Sequence, residues 1–242
     1  MANLQRAKQL TNLKGNTNPS VLIVGGGING IGLYRDLALQ GVDVLLVEQK
    51  DFCSGASAAL SRMVHGGLRY LEQGEFRLVR ESLEERNILL RNAPHYVKPL
   101  PTTIPVFDYA SGIMNALLRF LGLSEKPGRR GALVIKLGLT LYDFFTRTRR
   151  ETPTHNFQGQ KETFLRWPEL HPDVKCSATY FDAWVTYPER LGLEMVMDVA
   201  QTDTAAMAVN YMSVASSDGK SVTLRDEVSG EEISVEPGIV VN

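Results

Sequence analysis

Residues 21–30 read VLIVGGGING, four apolar residues followed directly by the pattern G-x-G-x-x-G. A helical stretch at 31–39 and a second apolar run at 44–47 come next, and that run ends on Glu48. This order is typical of a βαβ unit in which a helix N-terminus binds the pyrophosphate of a dinucleotide. Both apolar runs suit central parallel strands that are covered on both faces. The sequence therefore predicts an α/β fold with a parallel central sheet.

Each glycine of the motif has an expected role in dinucleotide binding. Gly25 permits the tight turn, Gly27 lets the backbone approach the phosphates, and Gly30 lets the helix pack closely on the strand. Glu48 lies 18 residues past Gly30, where a carboxylate accepts hydrogen bonds from a ribose diol and disfavours NADP. The alternative is an ordinary αβ turn with an incidental Glu. The expected cofactor-binding residues here are Gly25, Gly27, Ile28, Asn29, Gly30 and Glu48.

The composition is that of an ordinary soluble globular protein. The chain has 242 residues, of which 43% are hydrophobic and 22% charged, and its net charge of −1 gives no general attraction to nucleic acid. Its two cysteines, Cys53 and Cys176, lack metal-ligand spacing. We therefore expect two buried thiols, no metal site and a reducing compartment. No signal peptide and no membrane-spanning apolar run is visible, so the expected localisation is cytoplasmic.

Hydrophobic periodicity and turn residues predict the remaining elements. Residues 1–19 read as a polar helix and loop, either a mobile arm or a docking segment. The prolines between 94 and 105 exclude a helix interior there, and Asp218-Gly219 signals a hairpin. The predicted helices cover 28–40, 75–91, 111–122, 132–145, 161–170 and 188–202, and the predicted strands cover 21–24, 42–48, 103–107, 178–185, 206–214, 221–224, 233–235 and 238–241.

Two of these segments carry many charges. In the helix 75–91 we expect a buried apolar stripe and interpret the Glu and Arg residues as a solvated face. The stripe comprises Phe76, Val79, Leu83, Ile88 and Leu90. Residues 112–150 contain eight Lys or Arg but only Glu125 and Asp143 as acids. This basic apolar region is either a peripheral contact with an anionic membrane surface or an ordinary helical hairpin packed on the core.

The stretch after Glu48 indicates which dinucleotide binds. Residues 51–61 (DFCSGASAALS) are small and polar, and 63–70 (MVHGGLRY) combine a His, two Gly, an Arg and a Tyr. An NAD-binding Rossmann fold usually continues directly into another βα unit, whereas a small-residue strip suits an extended flavin dinucleotide. The alternative for 51–61 is a flexible surface loop.

At these residues the sequence resembles the FAD-dependent glycerol-3-phosphate dehydrogenases and oxidases, within the D-amino-acid-oxidase-like flavoprotein group. The stretch HGGLRYLE at 65–72 carries the resemblance most specifically. The matching segments are 25–41, 47–57, 61–95 and 180–191. Departures are Arg62 in place of a Lys, the loss of several hydroxyls and an Arg at 56–60, and VTYPERL at 185–191. These departures suggest a side branch of the family.

The resemblance implies residue roles. The motif glycines hold the FAD pyrophosphate and Glu48 the adenosine ribose. His65 lies beside the isoalloxazine, and Arg69 and Tyr70 face the substrate, where a guanidinium suits a phosphate or carboxylate. The further flavin-contacting residues are Ser57, Ser61, Arg62, His65, Gly66 and Gly67. Two purely structural alternatives to these roles stay open. His65 is then a core histidine, and Arg69 forms a surface ion pair with Glu72 or Glu75.

The resemblance also implies a domain division, a Rossmann-like FAD-binding domain plus the start of an α+β substrate or cap domain. We expect an N-terminal arm (1–19), an FAD-binding core (20–105), a helical basic insertion or cap (106–175) and a return to the FAD-binding domain (176–242). The last apolar strand stops one residue before Asn242, without the loop that normally carries ligand contacts. The chain is therefore expected to be truncated in the middle of a fold.

The expected function is FAD-dependent oxidation of glycerol 3-phosphate, with hydride passing to flavin N5 and electrons to a quinone or to oxygen. The catalytic base and the oligomeric state are not assigned, and no nucleic-acid partner is expected. Alternatives are an FAD-dependent amine or 2-hydroxy-acid oxidase, in which Arg69 holds a carboxylate, and a non-catalytic FAD-binding fragment. An NAD-only dehydrogenase would leave HGGLRY unexplained.

Overall fold

A computed structural model of the chain describes residues 2–111, 131–202 and 204–242, without the side chains of 2–5 and 72. The predicted helix 111–122 therefore lies, apart from its first residue, outside the described residues. The chain forms two compact units. Unit 1 combines 1–61 with 187–242, and unit 2 is the continuous stretch 62–186. This division differs from the four segments expected from the sequence.

Unit 1 is built on a four-stranded parallel sheet, which confirms the predicted α/β class. Its strand order is β11-β1-β2-β7, and each neighbouring pair runs parallel. The elements of this layer are β1 (Val21–Val24), α2 (Ile28–Leu39), β2 (Val44–Glu48), α6 (Pro188–Ala200), β7 (Met207–Asn210) and β11 (Ile239–Val241). The predicted bounds of these elements are close, and the left-handed φ of +83° at Gly41 ends α2 as expected.

Both faces of the parallel sheet are covered, which explains why its first two strands are apolar throughout. Ile31 and Tyr34 of α2 and Val199 of α6 pack with Ile23 and Leu46 on one face. The other face packs against the three-stranded antiparallel sheet of β8 (Met212–Ser217), β9 (Val222–Asp226) and β10 (Glu232–Val235), and against α1 (Ala2–Gly15). Alternate residues of each strand thus point into two separate cores.

One sequence-based expectation for unit 1 was wrong. The predicted strand 206–214 is two strands in different sheets, because Tyr211 between them has a left-handed φ of +51°. Of the two alternatives for the N-terminal segment, the structure shows the docking segment and not the mobile arm, because Leu13 is fully buried in the core. Arg6 fixes the same helix by an ion pair with the buried Asp226 and by donating to the carbonyl of Asn210 at 2.8 Å. The predicted hairpin at 218–219 does join β8 to β9.

Unit 2 is built around one long antiparallel strand, β6 (Cys176–Val185). β4 (Val97–Val106) pairs with its whole length, and β3 (Met63–Val64) and β5 (Asn156–Gly159) pair with the two ends of its other edge. The helices are a 3₁₀ helix (Leu68–Gln73), α3 (Phe76–Asn92), α4 (Ala132–Thr146) and α5 (Gln160–Arg166).

β4 begins six residues earlier than predicted, and its prolines explain both the error and the structure. Pro99, Pro101 and Pro105 lie an even number of residues apart, so all three occupy the same side of the strand's alternation. An edge strand needs no N–H on its outward side, and proline is tolerated there.

The buried stripe of α3 also differs from the expectation. Val79, Leu83 and Leu90 are buried as predicted, but Arg86 and Asn87 are buried with them, at 1% and 4% exposure. The interpretation of every charge on this helix as solvated was therefore wrong for Arg86.

Among the described residues no helix has the length and apolar character needed to cross a membrane.

Candidate cofactor and substrate site

The glycine-rich turn has the geometry that its spacing predicts. Gly25 has a φ of +114°, a region that L side chains rarely adopt, and its N–H donates to the carbonyl of Val47 at 2.8 Å. A Cβ added to Gly30 would lie 2.0 Å from the carbonyl oxygen of Gly25. Strand β1 therefore turns into α2 within a space that only glycines at these two positions allow.

The N-terminus of α2 opens directly onto this turn. Gly27 is the N-cap and has no side chain that could accept a hydrogen bond. The first N–H groups of the helix therefore need acceptors from other parts of the chain or from a ligand. The hydroxyl of Ser57 accepts from the N–H of Ile28 at 3.0 Å, and a Cβ on Gly27 would lie 3.3 Å from the same oxygen. Loop 51–61 thus places a hydroxyl where an anion is favoured by the helix dipole. These residues fit a pyrophosphate.

Glu48 closes the other side of the turn. Its carboxylate accepts from the N–H of Gly26 at 2.7 Å and from the N–H of Lys50 at 2.8 Å. Each carboxylate oxygen has a second lone pair, so Glu48 keeps the capacity to accept from ribose hydroxyls. A Cβ on Gly26 would lie 2.6 Å from the Phe52 ring and 2.8 Å from Glu48. The requirement for glycine at position 26 was not predicted from the motif.

Cys53 lies near this turn but has the properties of a structural residue. It is 1% exposed, and a Cβ on Gly192 of α6 would lie 2.5 Å from its sulfur. Burial, together with the carboxylates of Glu189, Glu48 and Asp51, raises the pKa of the Cys53 thiol. Burial also raises the pKa of Cys176. Since the thiolate is the reactive form, burial and the raised pKa values disfavour a nucleophilic role for either thiol, and both are buried as the sequence predicts.

The His-Gly-Gly segment, residues 65–67, lies in unit 2 and has two buried glycines beside an exposed histidine. A Cβ on Gly66 would lie 2.3 Å from Leu83 of α3 and 2.5 Å from the hydroxyl of Tyr142 of α4. Gly67 has a φ of +67° and is the N-cap of the 3₁₀ helix. Both glycines are therefore required by packing and backbone conformation. The exposure of His65 contradicts the alternative that it is a core histidine.

The N–H of Gly66 is bound by a buried polar cluster that the sequence analysis missed. It donates to the hydroxyl of Tyr142 at 2.9 Å and to the carboxylate of Asp182 at 3.2 Å. Tyr142 in turn donates to Asp182. Arg86 donates to the Phe181 carbonyl at 2.7 Å and forms an ion pair with Asp182 at 3.5 Å. We call Arg86, Tyr142 and Asp182 the Gly66 cluster.

The surroundings within the Gly66 cluster keep the phenol of Tyr142 protonated and neutral. Burial, and next the negative charge of Asp182, raise the pKa of Tyr142, while Arg86 opposes the shift. The ring of the neighbouring Tyr180 packs edge-on against Tyr142, with centroids 5.7 Å apart, and burial raises the pKa of Tyr180 to about 12. Tyr142 therefore acts as a donor and an acceptor at neutral pH.

Two sequence signals could have revealed this cluster. Arg86 follows Leu83 by three residues and precedes Leu90 by four, which places it within the apolar stripe of a helix. Asp182 is the lone acid in the apolar strand 178–185. A charge in a buried pattern needs a partner, but the sequence does not indicate which one.

Arg69 and Tyr70 lie together beyond this segment. The guanidinium of Arg69 donates to the Tyr70 hydroxyl at 3.1 Å and stands 5.0 Å from the centre of its ring. Within the described side chains Arg69 has no ion pair with Glu75, one of the two acids considered for the surface alternative. Arg69 is exposed and can still fork onto an anion.

The two units thus each hold part of the predicted site. Unit 1 brings together the turn 25–30, Glu48 and Ser57, and also contains the exposed Ser61. In unit 2, Arg62 has a φ of +60° and donates to the carbonyl of Thr186 at 3.1 Å. That contact ties Arg62 to the end of β6, in the same unit as His65, Gly66, Gly67, Arg69 and Tyr70.

Comparison with known proteins identifies a family for the chain. The family described as FAD dependent oxidoreductase matches residues 20–235. A glycerol-3-phosphate dehydrogenase of Synechocystis sp. is 40% identical over 237 residues, covering 94% of this chain and 39% of the relative. A D-erythritol 1-phosphate dehydrogenase of Brucella abortus is 33% identical, covering 92% of this chain and 40% of the relative.

A solved structure shares the fold. The glycerol-3-phosphate dehydrogenase of Bacillus halodurans, complexed with FAD, superposes with a TM-score of 0.64 at 23% identity, covering 97% of this chain and 36% of that one. The chain thus spans 36–40% of the length of these three proteins.

Proposed function

Because the chain belongs to the FAD dependent oxidoreductase family, we propose that it provides the dinucleotide-binding part of an enzyme that oxidises glycerol 3-phosphate to dihydroxyacetone phosphate. The observation that carries the proposal is the glycine turn in unit 1 combined with HGGLRY in unit 2. The names of the Synechocystis and Brucella relatives both refer to phosphorylated polyols, which favours a phosphate-bearing alcohol over an amine or a hydroxy acid.

The residues of unit 1 would hold the cofactor. Residues 25–30 bind the pyrophosphate through backbone N–H groups at the start of α2, and Ser57 lies beside them. Glu48 binds the adenosine ribose, and Ser61 continues the strip towards the flavin. Bound FAD supplies the two-electron chemistry, with N5 as the hydride acceptor.

The residues of unit 2 would orient the substrate. The guanidinium of Arg69 holds the substrate phosphate by charge-assisted hydrogen bonds, with the Tyr70 hydroxyl bonded to it at 3.1 Å. Backbone groups of 62–67 and the side chain of His65 would contact the flavin. Fixing the carbinol carbon near its acceptor is the main contribution that such residues make to rate.

Two linked experiments test the proposal. FAD is titrated into the chain and flavin fluorescence is followed. We expect saturable quenching, at least a tenfold weaker affinity in Glu48→Ala, and no change in Lys50→Ala, whose contact with Glu48 is made by its backbone. The protein that carries this sequence is then mixed anaerobically with glycerol 3-phosphate, D-erythritol 1-phosphate or amino acids. Bleaching by glycerol 3-phosphate supports the proposal, whereas bleaching only by amino acids contradicts it, as does the absence of FAD binding.

We further propose a quinone as electron acceptor, reached through a peripheral contact of α4 with the membrane surface. Leu133, Leu137 and Phe144 lie on one side of this helix at 57%, 65% and 51% exposure, and Arg147 stacks on Phe144 at 4.2 Å. Apolar side chains flanked by cations suit the interface of an anionic bilayer.

Vesicle sedimentation tests this contact. The chain should sediment with vesicles of phosphatidylcholine and phosphatidylglycerol and less with phosphatidylcholine alone. The double variant Leu137→Ser and Phe144→Ser should lose at least fivefold of the bound fraction, and Leu165→Ser, at 86% exposure elsewhere in unit 2, should lose none. Equal sedimentation of the wild type and the double variant would contradict the proposal.

A further inference from the structure

The Gly66 cluster binds a backbone group that ordinary secondary structure leaves without an acceptor. β3 pairs with β6 only at residues 63 and 64, so Gly66 lies beyond the end of the ladder. Its N–H is nevertheless bonded to Tyr142 and Asp182, which belong to α4 and to β6. Two elements from distant parts of the sequence therefore converge on one N–H group.

The cluster is unusual for a hydrophobic interior. Arg86, Tyr142 and Asp182 are 1%, 3% and 2% exposed. An ion pair that is buried to this degree contributes little net stability, because apolar residues of similar volume often serve as well or better. The arrangement of these three side chains is better explained by the backbone N–H of Gly66, to which Tyr142 and Asp182 are hydrogen-bonded.

The contacts around Arg86 fix the cluster firmly. Its Nη2 donates to Asn87 at 2.9 Å, and its Nη1 donates to the Phe181 carbonyl at 2.7 Å. The side chain of Asn87 donates to the carbonyl of Arg149 at 2.8 Å. Asp182 is thus held by a cation that is itself anchored at several points. Leu83 also lies against Gly66, since a Cβ added there would lie 2.3 Å from it.

From this geometry we infer that Arg86, Tyr142 and Asp182 are positioning residues, which set the backbone of residues 65–67 so that it presents His65 to the flavin. The inference rests on the proposed function, because it assigns the flavin as the group that residues 65–67 face. The three residues are buried and act through the N–H of Gly66.

Tyr142→Phe is the most direct test, because it removes the hydroxyl and keeps the ring. Thr163→Val is the matched control: Thr163 shares a hydrogen bond of 2.9 Å with Ser177, both are fully buried in unit 2, and the hydrogen bond does not involve residues 65–67. Both variants lose one buried hydroxyl.

Two readouts separate positioning from simple stability. Hydrogen exchange followed by mass spectrometry should show the peptide covering 62–70 exchanging at least tenfold faster in Tyr142→Phe than in the wild type or in Thr163→Val. The absorbance maximum of bound FAD should shift by several nanometres in Tyr142→Phe alone, with affinity about tenfold weaker.

The failures can be distinguished. If the wild-type chain binds no FAD, both the proposed function and the inference are wrong. If it binds FAD, and Tyr142→Phe shows the wild-type spectrum and exchange while losing as much stability as Thr163→Val, the cluster is purely structural and only the inference is overturned.

Discussion

Gly30 and Gly55 show how differently two glycines of the same region depend on lacking a side chain. A methyl group on Gly30 would meet the carbonyl oxygen of Gly25 at 2.0 Å, whereas at Gly55 no atom lies within 4 Å of the added carbon. We expect Gly30→Ala to lower the free energy of unfolding by roughly 1–3 kcal/mol through overpacking. Gly55→Ala should change it by less than about 0.5 kcal/mol. Urea denaturation measures both, and equal midpoints for the two variants would contradict the close approach.

Residue roles that depend on local backbone geometry could be predicted from the sequence, and roles that depend on distant packing could not. The spacing of Gly25, Gly27 and Gly30 suffices because the turn is made by neighbouring residues. Gly66 is a glycine because Leu83 and the far more distant Tyr142 press against it. No motif encodes that contact, so HGG suggested cofactor binding and did not reveal the packing constraint.

At the scale of the element, α1 should contribute to stability as a docked helix. Leu13 is fully buried and packs with the core of unit 1, while Asn12 beside it is exposed. We expect Leu13→Ala to lower the free energy of unfolding by roughly 2–5 kcal/mol, as for other buried leucines. Asn12→Ala, the control, should have little effect. Limited trypsin digestion at Lys8 and Lys14 should be faster in the Leu13 variant, and an unchanged cleavage rate would mean that α1 is an undocked arm.

Helices and strands were predicted correctly where the apolar period is unbroken. The prediction failed where a single residue redirects the chain. The strands before and after the glycine turn, and the helix between them, have nearly the predicted bounds. The run 206–214 looked like one strand because alternation continues through Tyr211, whose left-handed backbone moves the chain to a second sheet. In β4, prolines indicated an extended connection before a strand at 103–107, since the sequence does not reveal which strand will lie at an edge.

For the whole molecule, buried phenols predict a loss of stability at alkaline pH. Tyr34 is 2% exposed, and burial raises its pKa to about 12 from an ordinary value of 10.0. The unfolded chain therefore releases this proton above pH 10 while the folded chain keeps it, so the free energy of unfolding falls as pH rises towards 12. The slope is at most about 1.4 kcal/mol per pH unit for such a group.

Tyr34→Phe checks this expectation. The variant should lose less stability than the wild type between pH 10 and 12 in urea titrations, because it has no proton to release at this position. Tyr187→Phe, at a ring that is 60% exposed, is the control and should follow the wild type. Parallel curves for Tyr34→Phe and the wild type would show that Tyr34 is not responsible for the alkaline loss.

The two ends of unit 2 lie next to each other in space, because the N–H of Val185 donates to the carbonyl of Arg62 at 2.8 Å. This contact bears on the order of folding. Unit 1 must join β1 to β11 across nearly the whole chain, whereas unit 2 is continuous in sequence. Once unit 2 has folded, the flexible chain that connects β1 to β11 is less than half as long as in the unfolded protein. The entropic free-energy cost of bringing these two strands together falls by about 0.8 kcal/mol as a result. We therefore expect residues 62–186 to fold first and the discontinuous parallel sheet of unit 1 to form second.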